Sequence, residues 1–209
     1  MVKKMDLTIK TEMYRNPEFK SVLEFGVTAI KELDDEDFSQ VKVAGLYGLS
    51  GPLNFDGRVE DDSVYCFDAR DAHADETLAI LLEEMKNIEE LLQVKLEDFS
   101  NFGSVLFLEE AKVDKEYRGH GVALRLMREV AYIFRNSSPL YILKAHPTGQ
   151  RDEVTDDDCR KLGAYYMSDP VLGFKELDPE KYAGWLVSKG TAGISETSDS
   201  YFFETSFGT

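Results

Sequence analysis

The feature that most restricts the fold of this chain is a long apolar run that ends in a glycine-bearing turn. Residues 104–113 read SVLFLEEAKV, a β-rich stretch long enough for a buried central strand. After the polar DKEYRGHG, apolar residues at Val122, Leu126, Val130, Ile133 and Phe134 recur at three- and four-residue steps, which predicts an amphipathic helix. Asn136-Ser137-Ser138-Pro139 ends that helix, and Leu140-Tyr141-Ile142-Leu143 reads as a second core strand. Strand, helix and strand in this order predict two parallel neighbours.

The turn between strand and helix carries the chemistry. A helix start exposes backbone N–H groups that have no partner in the helix, and it carries a partial positive charge. Gly119 and Gly121 let an anion approach those amides without a Cβ in the way, and Arg118 can add a forked, charge-assisted contact. The same residues also suit a plain left-handed turn. Gly119-His120-Gly121 is not a dinucleotide fingerprint, because Leu124 stands where the third glycine is needed. The chain has neither a Gly-Lys-Ser/Thr phosphate loop nor a Gly-x-Ser-x-Gly nucleophile turn.

The remaining segments are read from periodicity. Leu7-Thr8-Ile9-Lys10 alternates like a strand, whereas Phe19, Val22, Leu23 and Phe25 fit strand or helix equally. QVKVAGLYGLS predicts a strand closed by a Gly51-Pro52 turn, and Ser63 to Phe67 a second, shorter one. From about Ala74 to Val94, Leu78, Leu81, Leu82, Met85, Ile88, Leu91 and Leu92 mark an amphipathic helix. Cys159, Leu162 and Tyr166 share one helical face, and strand-like pieces follow Gly173-Phe174.

Charge and cysteine usage narrow the partners. The 209 residues carry 24 basic and 40 acidic side chains, a formal charge of −16, so a phosphate backbone is repelled and no nucleic-acid partner is expected. The same field favours a cationic acceptor, although acidity is also a device for solubility. Cys66 and Cys159 have no companions at ligand spacing, and neither do His73 and His120, so no metal and no disulfide are expected. No apolar run follows the basic MVKKMDLTIK start, so the expectation is a cytoplasmic protein without a membrane span.

Arg118-Gly119-His120-Gly121-Val122-Ala123, opening a helix after an apolar strand, resembles the acetyl-CoA signature (Gln/Arg)-x-x-Gly-x-(Gly/Ala) of the GNAT superfamily. Arg118, Gly121 and Ala123 supply its three fixed positions. KLGAYYMSDPVLGF likewise resembles the later helix of that family, with its tyrosine and the Gly-Phe strand start. The resemblance covers residues 104–176, the coenzyme-binding core of one domain spanning 1–209. Residues 1–103 are divergent and belong to the acceptor side, and 177–209 supply C-terminal strands.

The resemblance implies an α/β (α+β) fold: a mixed central sheet flanked by helices, with two parallel strands splayed at the cofactor cleft. It implies acetyl-CoA as co-substrate, with the pantetheine arm paired to the backbone of Ala111, Lys112 and Val113. The pyrophosphate would lie on Arg118, Gly119, His120, Gly121, Val122 and Ala123. Acetyl transfer to an amine needs a base, for which Glu109 or Glu110 is the candidate, since strand neighbours face opposite sides and only one can serve a given cleft. Tyr166, with Tyr165 in reserve, occupies the position from which the family's tyrosine donates to the thiolate, and a core tyrosine is the alternative. His146 is a further base candidate, more often structural at a strand end. The acceptor is an amine, small or peptidic, and the protein a monomer or homodimer. A second reading is a GNAT-fold chain that binds coenzyme A or a partner without turnover, and a third is an acidic interaction protein whose turn is only structural.

Overall fold

The structure is a computed structural model that describes residues 7–17, 22–33, 39–52, 72–94, 104–137, 140–147, 154–190 and 205–207. Its strands are β1 (Thr8–Arg15), β2 (Leu23–Glu32), β3 (Gln40–Pro52), β4 (Ser104–Val113), β5 (Leu140–Lys144), β6 (Lys175–Glu176), β7 (Trp185–Ser188) and β8 (Thr205–Phe207). All eight join one sheet in the order β6-β7-β5-β4-β3-β2-β1-β8. Among the described residues the helices are α1 (Ala72–Leu92), α2 (Val122–Ile133) and α3 (Asp156–Met167).

Alternation along the central strands sorts the helices to two faces. Leu106 and Leu108 of β4 and Tyr141 and Leu143 of β5 pack in one cluster with Val122, Leu126 and Val130 of α2 and Tyr166 of α3. Val105, Phe107, Leu140 and Ile142 point the other way, into a cluster with Ile80, Leu81, Ile88 and Leu92 of α1. Val122, Leu126 and Val130 follow one another at four-residue steps, so α2 buries one continuous stripe. Each such side chain contributes about 1.5–3 kcal/mol when removed from water.

The antiparallel meander β1-β2-β3-β4 passes through α2 into a parallel contact of β4 with β5, and β8 adds a second parallel contact on β1. The expected α/β fold, with its mixed sheet and parallel central pair, is the one observed. The segment open to either reading enters as strand, with β2 starting at Leu23. Gly51-Pro52 is not a turn: β3 runs on to Pro52, which pairs with Ser104. As the last residue of the strand, Pro52 can be accommodated without an N–H in the ladder. The strand expected at Ser63 to Phe67 lies outside the described residues, as do Cys66, Phe19 and the side chains of Leu78 and Leu82.

Candidate functional site

The two parallel strands part in mid-course. Pairing of β4 with β5 begins at Val105 with Leu140 and ends at Leu108 with Leu143. β4 continues for five more residues, Glu109 to Val113, on its β3 partner alone, while β5 ends at Lys144 against Trp185 of β7. The stretch 109–113 therefore has a backbone edge turned toward β5 but not laddered with it, and a chain of amides can pair there.

A bulge lies at the point of parting. Tyr47 of β3 stands opposite Glu110 and Gly48 opposite Leu108, so Glu109 is the extra residue of β4. Gly48 is required there, because a Cβ would come within 2.2 Å of the Phe107 carbonyl oxygen and 2.6 Å of the Phe25 ring. The bulge also corrects the alternation argument. Leu108 and Ala111 both pack toward α2, and regular alternation allows only one residue between two that share a face. With two residues between them, Glu109 and Glu110 both lie on the α1 face, so the two carboxylates serve the same side of the cleft.

Glu110 forms an ion pair with Lys112 at 2.6 Å, both side chains being substantially exposed, and the contact raises the Lys112 pKa. Glu109 is half-buried, with one carboxylate oxygen shielded from solvent. Across the parting, Lys144 is the residue after Leu143. Its Nζ reaches Glu76 of α1 at 3.0 Å and lies 5.5 Å from the centre of the Trp185 ring. Sequence reading passed over Lys144 because it looks like the polar end of an apolar run. His146 follows at the end of β5, half-buried, its N–H donating to the Lys144 carbonyl at 2.9 Å.

On the other side of the parting, the β4–α2 connection folds as a 3₁₀ turn over Lys115–Tyr117, then Arg118 and two glycines. Gly119 and Gly121 both have φ of 76°, the left-handed region in which a Cβ is strained, and among the described residues nothing lies within 4 Å of where a Cβ would stand on either. Gly121 is the N-cap of α2 and makes no side-chain cap, and the first turn of α2 carries no acidic residue. The start of α3 is built the opposite way: Thr155 and Asp158 form a capping box and the first turn holds Asp156, Asp157 and Asp158. One helix supplies its own anion, and the other starts with neither a side-chain cap nor a carboxylate to meet its N–H groups and partial positive charge. Arg118 donates from Nε to the Val113 carbonyl at 2.9 Å, which folds the guanidinium back beside the strand end. Of the three expected backbone positions, Val113 is thus already engaged through its carbonyl, while Ala111 and Lys112 are not engaged by that contact.

Tyr166 is buried in the cluster that also holds Val122, Ala123, Leu143 and Ala145, and burial pushes its hydroxyl up to about 12. Tyr165 is 36% exposed, its ring 5.6 Å from that of Tyr166. The helix face read from Cys159, Leu162 and Tyr166 is the inward one: Cys159 and Tyr166 are buried and Leu162 packs against the same cluster. The structure thus gathers β4, the turn, the α2 start, the end of β5 and Tyr166 at one end of the sheet.

No family model and no curated protein matches the sequence. Among solved structures, a tyrosine-to-phenylalanine mutant of KacT aligns at a TM-score of 0.41 and 11% identity, covering 79% of this chain and 70% of that one. A KacTA–DNA complex aligns at a TM-score of 0.40 and 12% identity, covering 87% of this chain and 92% of the other. Likeness at that level fixes neither substrate nor role. Because one of these neighbours was solved with DNA, the expectation of no nucleic-acid partner does not stand, although the likeness assigns no such partner to this chain. That expectation rested on net charge, a sum over the whole chain, whereas phosphate contact is made locally. Residues 111–128 carry five basic side chains against two acidic ones within a chain of charge −16. Among the described residues, no helix is long and apolar enough to cross a membrane.

Proposed function

We propose that this chain is an acetyl-CoA-dependent N-acetyltransferase acting on an amine by direct transfer. The observation that carries the reading is the parting of β4 and β5 after Leu108 and Leu143, beside a helix start that has neither cap nor carboxylate. Those two features suit the two ends of one ligand. An extended chain of amides fits the unladdered edge of β4 at Ala111 and Lys112, with Val113 beside them. A pyrophosphate fits the N–H groups of Gly119, His120, Gly121, Val122 and Ala123, with the terminal nitrogens of Arg118 as a further charged contact. The open space in front of both glycines is the room that such an anion needs.

The thioester would then lie at the parting, with Glu109 on the α1 face and Tyr166 toward α2. An amine arriving on the α1 face loses its proton to Glu109, directly or through water, and attacks the acetyl carbonyl. Glu109 is preferred over Glu110 because it stands at the bulge itself, next to the last β4–β5 pair. Tyr166, protonated at every physiological pH, donates a hydrogen bond to sulfur as the thiolate departs. Full proton transfer from a hydroxyl near 12 to a thiolate whose acid has an ordinary pKa of about 8.5 runs uphill, so the contribution is a hydrogen bond. Proximity and orientation supply the remainder.

The test is release of free thiol from acetyl-CoA over a panel of small amines and basic peptides, beginning with a thermal-shift assay on acetyl-CoA alone. Binding without thiol release from any acceptor would favour the reading of a coenzyme A-binding module.

A further inference from the structure

Beyond the residues that would meet substrate, the geometry points to Arg128 and Asp169 as positioning residues: together they hold Tyr166 in register with the start of α2. This inference rests on the reading of Tyr166 as the donor to the departing thiolate. Arg128 lies in α2, the same rigid helix whose first turn offers its amides to an anion. Its guanidinium holds Asp169 twice, Nε at 2.8 Å and Nη2 at 2.7 Å, both to Oδ2. The other carboxylate oxygen accepts from the N–H groups of Val171 at 2.9 Å and Leu172 at 3.3 Å. The Asp169 side chain is fully buried and the Arg128 side chain half-exposed.

Asp169 is tied to Tyr166 through the end of α3. Its N–H donates to the Tyr166 carbonyl at 3.3 Å, and its carbonyl accepts from Gly173 at 3.2 Å. Tyr166 and Leu172, on either side of Asp169, pack in the cluster that contains Val122, Ala123 and Leu126 of α2. A buried carboxylate is tolerated only when its lone pairs are met, and here four donors meet them. Two of those donors come from α2 and two from the loop after α3, so the carboxylate can be satisfied only when the two helices stand in one relation. Two guanidinium nitrogens converging on one oxygen add direction that a single point charge lacks.

The experiment uses the full chain, with acetyl-CoA as donor and hydroxylamine as a small nucleophile that is already unprotonated at neutral pH. That choice removes the demand for a base and leaves the thiolate side of the reaction to be read. Arg128→Gln, Asp169→Asn, Tyr166→Phe and the double variant Arg128→Gln/Tyr166→Phe are compared for thiol release and, by calorimetry, for acetyl-CoA affinity. Asp169→Asn keeps an oxygen for Val171 and Leu172 while removing the charge that Arg128 holds, so it backs up Arg128→Gln if that variant folds poorly. The expected result is a fall in kcat of about tenfold for either single variant, with acetyl-CoA Kd changed by less than about twofold. In the Tyr166→Phe background the second substitution should change kcat by less than about twofold, because there is no hydroxyl left to position. Arg128→Lys should recover part of the loss.

Wild-type kcat in Arg128→Gln or Asp169→Asn overturns the proposal. So does the same loss in the Tyr166→Phe background, which marks a general effect on the fold. Wild-type kcat in Tyr166→Phe alone overturns it as well and leaves acetyl transfer standing. A parent protein that binds acetyl-CoA yet releases no thiol overturns the transfer reading itself, and the positioning role with it.

Discussion

Leu108 and Leu143 form the last pair at which β4 and β5 run side by side. One residue further on, β4 bulges at Glu109 and β5 ends at Lys144, whose ammonium turns to Glu76 on α1. The ladder between the two strands thus stops where one extra residue enters the central strand. A bulge bends its strand and strengthens its twist, which carries β4 away from β5. Filling the register by deleting Glu109 should close the cleft: the protein should lose acetyl-CoA binding while retaining its sheet content by circular dichroism.

Tyr166→Phe should lower kcat and kcat/KM together, by roughly ten- to a thousandfold, with acetyl-CoA affinity nearly unchanged. The raised pKa also has a consequence for stability. A phenol that ionises near 10 in the unfolded chain and near 12 in the fold keeps its full contribution below about pH 10 and loses it as pH rises toward 12. Alkaline unfolding monitored by fluorescence should therefore be shallower between pH 10 and 12 in Tyr166→Phe than in the parent.

Glu109→Gln should depress thiol release with a protonated amine acceptor most at low pH, and raising the pH should restore part of the rate, since the amine then loses its proton unaided. Glu110→Gln should stay close to the parent rate, because its main partner is Lys112. Equal and pH-independent losses in the two variants would remove the base assignment.

Away from the cleft, Glu84 of α1 is held by Lys181, Asn87 and the hydroxyl of Tyr182, and these contacts lower its pKa to about 2. A carboxylate whose folded pKa is depressed contributes stability that is complete above its ordinary value near 4.5 and lost as pH falls toward 2. Glu84→Gln should flatten the fall in melting temperature between pH 4.5 and 2, and should detach α1 from the loop before β7. An unchanged acid profile would show that the contact carries no linkage.

What the sequence disclosed and what it concealed follow from the range of the interactions. β4, the turn, α2 and β5 were legible because each is specified locally, by alternation, by glycines and by a four-residue apolar step. Gly48 gave no such signal. Its demand for a missing Cβ arises from Phe107 and Phe25, which are remote in sequence, and so the bulge and the shared face of Glu109 and Glu110 were hidden. Arg128 and Asp169 lie 41 residues apart, and in the sequence each reads as an ordinary surface charge. β8 pairs with β1 over only Thr11 to Met13, too short a stretch for periodicity to register.

The central claim is that the start of α2 receives the anionic end of acetyl-CoA, and the most direct measurement is calorimetric titration of acetyl-CoA into the parent and into Gly121→Asp. The substitution sets a carboxylate at a position where φ is 76° and where the surrounding space is open, so its effect falls on an incoming anion and on local strain. Folding of the variant is checked by its melting temperature. Saturable binding to the parent, with affinity reduced by at least about a hundredfold in folded Gly121→Asp, is the predicted result, a loss of about 2.7 kcal/mol. No heat of binding to the parent at millimolar acetyl-CoA, or equal affinity in the two proteins, would contradict the account.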